Sequence, residues 1–182
     1  MTITHLITAD ELEAMGSDAR FELIQGVLHE MSPSSTDTSA LTLYLGGLLS
    51  LHVVRNKLGK ATGADGGYLL ELNPDSVVLP DVGFISKERI SLQVRNTGIF
   101  PSRPDLAIEV ISPTDEPLEI RRKQALYERA GVPLSWWIDP RRRTATVHVP
   151  GQPVKHLTEA DMLDAGEVVP GFSVSLAELF DL

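Results

Sequence analysis

The 182-residue sequence contains no cysteine. This absence excludes disulfides, thiolate nucleophiles and cysteine-based zinc sites. Five histidines are present, but they occur singly and without the HExxH or HxxH spacing that is typical of a metal site on a helix. The chemistry of the chain is therefore expected among its carboxylates and lysines.

Long apolar runs are also lacking. No stretch approaches the roughly 18 consecutive apolar residues of a membrane-spanning helix. The first residues, MTITHLITADELEAMG, lack the basic flank and apolar core of a secretory signal. The sequence therefore predicts a cytoplasmic protein with no membrane partner.

Positive charge is scarce, because the formal net charge is −9 at pH 7. A protein that binds nucleic acid through non-specific attraction usually has a basic surface, and this composition argues against one. The charges are unevenly distributed, however. Residues 121–143 contain seven arginines and lysines against two acids, a net charge of +5, which leaves −14 for the remainder of the chain. A local basic face is therefore compatible with the sequence.

The order of apolar patterns predicts the fold. Hydrophobic residues make up 42% of the chain, enough for one core and rather little for two, so we expect a single domain over residues 1–182. The first predicted elements are a helix capped by Thr8, a hairpin around Gln25-Gly26, and a long helix over 40–58 ended by Gly59. A strand from Pro80, a loop with one helical turn over 86–103 and a central strand over 106–112 follow. The last elements are a helix over 116–130, hairpin strands at 134–139 and 144–149, and a final helix over 175–182. This order predicts an α/β fold with a mixed sheet and helices on its faces.

One charge stands inside the most apolar strand. Glu109 lies between Ile108 and Val110, where an ionised carboxylate costs several kcal/mol unless it is paired or holds a cation. On the helix that follows, a mostly apolar face lies within about 60° of Lys123, and it consists of Glu116, Glu119, Ile120, Leu126, Tyr127 and Ala130. Only a short loop separates this strand from the helix, so we expect Glu109 and Lys123 to meet.

Asp81 is the third candidate. It follows Pro80 and opens the strand DVGFIS. A carboxylate at the start of one strand, beside a carboxylate in a central strand, can bind one divalent cation, because Mg²⁺ typically takes one or two protein carboxylates and completes its shell with water and phosphate oxygens. Asp81, Glu109 and Lys123 together predict a metal-dependent phosphoryl site.

The same residues also fit a structural interpretation. Asp81 would then cap a turn, Asp105 would lie at a loop mouth, and Glu109 and Lys123 would form a structural ion pair. A glycosidase built on the two acids is a third alternative, but it needs a sugar cleft lined with aromatic residues, which make up only 5% of the chain. The pattern alone leaves the first two interpretations open.

Five segments carry a resemblance to a known family: FELIQG (21–26), LPDVGFIS (79–86), PDLAIEVISP (104–113), KQALYERAGVPLSWWIDP (123–140) and PGFSVSLAELF (170–180). Together they resemble the Uma2 family of endonucleases, formerly DUF820, within the PD-(D/E)XK nuclease superfamily. The resemblance spans nearly the whole chain. It implies a restriction-endonuclease-like core, with a central mixed β-sheet flanked by helices and an N-terminal β-hairpin.

The resemblance also implies roles for particular residues. Asp81 and Glu109 would bind Mg²⁺, for which Mn²⁺ can substitute, with the backbone carbonyl of Val110 as a further ligand. The superfamily's lysine usually lies two residues after the glutamate, where this chain has Ile111. The family is similar in placing its lysine on the next helix, which makes Lys123 the catalytic candidate.

Two other positions bear on the resemblance. Glu22 matches the acidic position of the family's hairpin and would add a carboxylate to the catalytic site. Family members often carry a histidine at the entry to the long helix, where this chain has SSTDT (34–38).

The function implied by the resemblance is that of a magnesium-dependent endonuclease that hydrolyses phosphodiester bonds in DNA. Arg121, Arg122 and Arg141–Arg143 are candidates for contacts with flanking phosphates, although the helical pair is expected to face away from Lys123. The alternative is a catalytically inactive protein that keeps the nuclease fold as a binding or accessory module, which the net charge of −9 favours. A homodimer is compatible with an enzyme that cuts both strands.

Overall fold

The computed structural model describes residues 5–16, 20–91 and 98–182. The helices in this part of the chain are α1 (Ala9–Ala14), α2 (Thr36–Arg55), α3 (Lys87–Ser91), α4 (Pro117–Arg129) and α5 (Leu176–Phe180). The strands are β1 (Phe21–Ile24), β2 (Val27–Glu30), β3 (Gly59–Thr62), β4 (Gly67–Glu71), β5 (Ser76–Val78), β6 (Val82–Ser86), β7 (Ile99–Phe100), β8 (Leu106–Val110), β9 (Leu134–Asp139), β10 (Thr144–His148), β11 (Lys155–Thr158), β12 (Met162–Asp164) and β13 (Ser173–Ser175).

The central sheet is mixed and has the strand order β11-β10-β9-β8-β6-β3. Strand β8 lies inside it, parallel to β9 and antiparallel to β6. A second sheet has the order β2-β1-β5-β4-β7, and β12 pairs with β13. These mixed sheets flanked by helices confirm the predicted fold class, and the predicted central strand is β8.

The N-terminal hairpin forms where the sequence predicts it. Gln25 and Gly26 join β1 to β2, and both have positive φ angles, 49° and 77°. Two consecutive left-handed residues make a turn whose twist suits an antiparallel pair. Leu23 then pairs with Val77 of β5, which attaches the hairpin to the second sheet.

The end of α2 differs from the prediction. Helix α2 ends at Arg55, so the prediction that Gly59 ends it is wrong. The Asn56 side chain donates to the His52 carbonyl and caps the helix, while Gly59 already belongs to β3. A Cβ at Gly59 would lie 2.0 Å from the Ile85 carbonyl oxygen, so this glycine serves a close approach of two strands. The loop predicted over 86–103 contains the expected helical turn as α3, and its residues 92–97 lie outside the described residues.

Different helices cover the two faces of the central sheet. On one face, α2 packs its buried residues, which include Leu45 and Leu49, against Ile108 and Trp136. On the other face, α4 contributes Leu126 and Tyr127 to a cluster that contains Trp137. No helix in the described part of the chain is long and apolar enough to cross a membrane.

Candidate active site

The register of two strands, β6 and β8, brings two carboxylates to one place. Val82 of β6 pairs with Ile108 of β8 in antiparallel fashion, which puts Asp81 opposite Glu109. Residues directly opposite each other in an antiparallel pair point to the same face of the sheet. Asp81 Oδ2 accepts a hydrogen bond of 2.7 Å from the Val110 backbone N–H, so the start of β6 is fixed to the end of β8.

Helix α4 supplies the amine. Lys123 Nζ lies 2.9 Å from Glu109 Oε1, and the same carboxylate oxygen accepts a hydrogen bond from the Tyr127 hydroxyl. Lys123 and Tyr127 are four residues apart and therefore lie on the same side of the helix. Their spacing lets a single helix face hold one carboxylate with two donors.

The N-terminal hairpin completes the cluster with Glu22. Its Oε1 lies 2.7 Å from Lys123 Nζ and accepts a hydrogen bond of 2.8 Å from the Leu79 N–H. Lys123 thus lies between two carboxylates from different sheets. These contacts join the hairpin, the central sheet and α4 at one point.

Burial shapes the charges of the cluster. Burial raises the pKa of Glu109 well above its usual range, and the attraction of Lys123 only partly offsets this effect. Burial likewise raises the pKa of Asp81, against the hydrogen bond from Val110. Burial alone would lower the pKa of Lys123, but Glu109 and Glu22 outweigh it and raise that pKa. Lys123 therefore stays charged between Glu22 and Glu109, while burial favours the neutral forms of Glu109 and Asp81.

These side chains line an open cavity of about 470 Å³. Asp81, Glu109, Lys123 and Glu22 all contribute to its wall. Arg122 does so as well, so the prediction that the helical arginine pair faces away is wrong for Arg122. Its long side chain reaches the cavity from the flank of the helix.

The donor set fits a magnesium ion. Asp81 Oδ2 and Glu109 Oε1 are engaged in hydrogen bonds, whereas Asp81 Oδ1 and Glu109 Oε2 make none within the residues that the structure describes. No group of three or more His, Cys, Asp and Glu side chains in those residues is arranged to hold a metal ion. A site of two carboxylates suits Mg²⁺, which keeps several waters and takes few protein ligands.

Other candidates have different roles. Asp105 accepts a hydrogen bond of 2.8 Å from the Ser86 N–H and pairs with Arg89 at 2.6 Å, so it fixes the loop beside α3. Arg143 contacts Glu159, Asp181 and the Phe180 carbonyl. The suggestion that Arg143 contacts phosphates is therefore not supported, since its guanidinium group already binds these partners.

Tyr127 is the member of the cluster for which the sequence predicted no role. It is 1% exposed, and burial raises the pKa of its hydroxyl well above the usual range, so the group stays a donor. The sequence placed it on the same helix face as Lys123, but an aromatic residue there looks like ordinary core packing.

Comparisons with known proteins agree with this architecture. A family model with the description "Uma2: Putative restriction endonuclease" matches residues 8–177. Among solved structures, the chain is similar to the crystal structure of "a putative nuclease belonging to DUF820" from Anabaena variabilis ATCC 29413. The TM-score is 0.83 at 20% identity, over 96% of this chain and 98% of the other. No curated protein matches the sequence.

Proposed function

Since the chain belongs to the Uma2 family, we propose that it is a magnesium-dependent endonuclease that hydrolyses phosphodiester bonds in DNA. The observation that carries this proposal is the convergence of Asp81, Glu109 and Lys123 on one open cavity. A structural ion pair of Glu109 and Lys123 would not need Asp81 to lie opposite Glu109.

Asp81 and Glu109 are the residues that would hold the ion, each through the oxygen that the protein leaves free, with the Val110 carbonyl as a further candidate. A bound Mg²⁺ would polarise the phosphodiester and lower the pKa of a bound water. The hydrogen bonds from Val110 to Asp81 and from Tyr127 to Glu109 hold both carboxylates in fixed positions before any ligand arrives. Such preorganisation removes the cost of arranging the ligands during the reaction.

Lys123 would act on the substrate side of the same cavity. Its ammonium group stays charged because two carboxylates raise its pKa, so it can donate to an attacking water or to the oxygens that gain charge in the transition state. Glu22 holds Lys123 from the side opposite Glu109 and is a positioning residue for the amine. Arg122, at the cavity wall, is the candidate for a contact with a flanking phosphate.

A plasmid-nicking assay tests the proposal. The purified protein should convert supercoiled DNA to open-circular or linear forms with Mg²⁺ or Mn²⁺ and not with EDTA. Asp81→Ala and Lys123→Ala should both abolish cleavage, while Lys155→Ala, at an exposed lysine outside the cavity, should retain it.

Two results would contradict the proposal. Cleavage that persists in both Asp81→Ala and Lys123→Ala would show that another site, or a contaminant, is responsible. Metal-independent DNA binding without cleavage by the intact protein would favour the accessory role.

A further inference from the structure

The outer face of α2 is apolar and exposed over most of its length. Leu43, Val54 and Leu51 are 77%, 68% and 48% exposed, and Tyr44 beside them is 39% exposed. Between Asp37 and Arg55 the helix contains no aspartate, glutamate, lysine or arginine. Isolated exposed apolar residues are ordinary, but a contiguous uncharged face of this kind is typical of an interaction surface.

The exposed residues of this face follow a heptad pattern. We call them the α2 seam, which consists of Ala40, Leu43, Tyr44, Gly47, Ser50, Leu51 and Val54. At 100° per residue, all of them lie within about 60° of Gly47, and all are exposed. The residues recur at intervals of three, four and seven, which is the spacing of the contact line between two paired helices.

We propose that the α2 seam binds the α2 seam of a second copy of this chain, in antiparallel orientation, about a two-fold axis at Gly47. The seam is complementary to itself in this orientation. Leu43 of one copy faces the space between Ser50 and Val54 of the other, and Leu51 faces the space between Ala40 and Tyr44. A Cβ built at Gly47 meets nothing within 4 Å, so a second helix can approach closely there.

Charges at the two ends of α2 select the antiparallel orientation. Asp37 and Arg55 are exposed and lie on the same flank of the seam, both about 80° from Gly47. Asp37 is ten residues before Gly47 and Arg55 eight residues after it. In the antiparallel pair, Asp37 of each copy and Arg55 of the other are therefore offset by only about 3 Å along the helix axis. A parallel two-fold pair would instead place Asp37 of one copy and Arg55 of the other at opposite ends of the interface, so they could not meet.

This charge pattern is the reason that we assign the surface to a second copy and not to an unrelated protein. A two-fold pair satisfies both ends at once, because each copy supplies one acid and one base. The seam residues do not line the active-site cavity, so the proposal does not depend on the endonuclease function.

Light scattering coupled to size-exclusion chromatography tests the proposal with the intact chain. We expect a dimer at micromolar concentration for the wild type, and a monomer for Leu43→Glu and Leu51→Glu. The dissociation constant should rise by roughly 100-fold or more in each case, because a charge is forced into an apolar contact. Leu72→Glu is the matched control, since Leu72 is 66% exposed outside the seam, and it should leave the dimer intact.

A charge exchange tests the orientation. Asp37→Arg and Arg55→Asp should each weaken the dimer, and the double variant Asp37→Arg/Arg55→Asp should restore it. Restoration by the double variant is expected only if these two residues face each other across the two-fold axis.

A cross-link provides an independent readout. The chain has no cysteine, so Gly47→Cys introduces a single thiol. Under mild oxidation this variant should form a disulfide-linked dimer, while Leu72→Cys should stay monomeric on a non-reducing gel. A monomeric wild type, a dimer that survives both glutamate substitutions, or a Gly47→Cys variant that fails to cross-link would overturn the proposal.

Discussion

Neighbouring residues of β8 serve opposite faces of the central sheet and opposite purposes. Ile108 and Val110 point into the apolar core under α2, whereas Glu109 points towards α4 and meets Lys123. Both faces are buried, but only one contains charge. From this comparison we expect that the alternation of side chains along the strand separates stability from the proposed function. Substitutions one residue apart should therefore have different consequences.

The largest expected effect is on the charged face. Glu109→Gln keeps the size of the side chain but removes its charge, and cleavage should fall by at least about 1000-fold, or about 4 kcal/mol in the barrier. The midpoint of thermal unfolding should change little, because burial already disfavours the ionised form of Glu109. A nicking assay and a thermal melt measured on the same preparation give both quantities. Normal cleavage by Glu109→Gln would contradict the assigned role.

The next effect is on the apolar face. Ile108 is fully buried, so Ile108→Ala should lower the free energy of unfolding by about 2–5 kcal/mol. Urea denaturation measures this loss. At a temperature where the variant is still folded, cleavage should stay within a few-fold of the wild type. A large loss of cleavage in a folded Ile108→Ala protein would show that the two faces are not independent.

A smaller effect is expected for the hydroxyl that orients Glu109. Tyr127→Phe should reduce cleavage by about tenfold, because Glu109 loses a donor that fixes its position, without loss of a ligand. Tyr68→Phe is the matched control. It removes a buried hydroxyl that contacts Thr62 at 2.7 Å and lies outside the carboxylate cluster, so cleavage should not change. Equal effects of the two substitutions would mean that Tyr127 has only a structural role.

The smallest effect is a pH dependence of metal binding. The pKa values of Glu109 and Asp81 are raised by burial, so metal binding must displace protons from them when the pH is below those values. Affinity for Mg²⁺ should therefore increase with pH, by up to about tenfold per pH unit for one displaced proton. Isothermal titration calorimetry in buffers of different ionisation enthalpy measures both the affinity and the protons released. An affinity that is independent of pH, without proton release, would contradict this account.

The sequence predicts much of this arrangement because its determinants are local. The periodicity of α4 and the short loop after β8 were enough to expect Glu109 and Lys123 together, and the distance between them is 2.9 Å. Glu22 is different, since nothing local connects the hairpin to α4, and only the family resemblance placed it there.

The two wrong predictions, on Gly59 and Arg122, and the missed role of Tyr127 share a cause, because each depends on tertiary packing that the local sequence does not show. Gly59 could have ended a helix or permitted a close approach of strands, and a glycine looks the same in either case. Arg122 was predicted to face away from Lys123 from its angle on the helix alone, but a long side chain can reach well beyond its own helix face. Tyr127 has the pattern of a core residue, and its hydroxyl found a charged partner only through tertiary packing.

The most direct measurement is a crystal structure of the protein grown with Mn²⁺, with an anomalous difference map collected near the manganese edge. We expect an anomalous peak within coordination distance of one oxygen of Asp81 and one oxygen of Glu109. The same peak should be absent from crystals of Asp81→Asn. A map without a peak at these carboxylates, while Lys123 still contacts Glu109, would contradict the account and favour a structural ion pair.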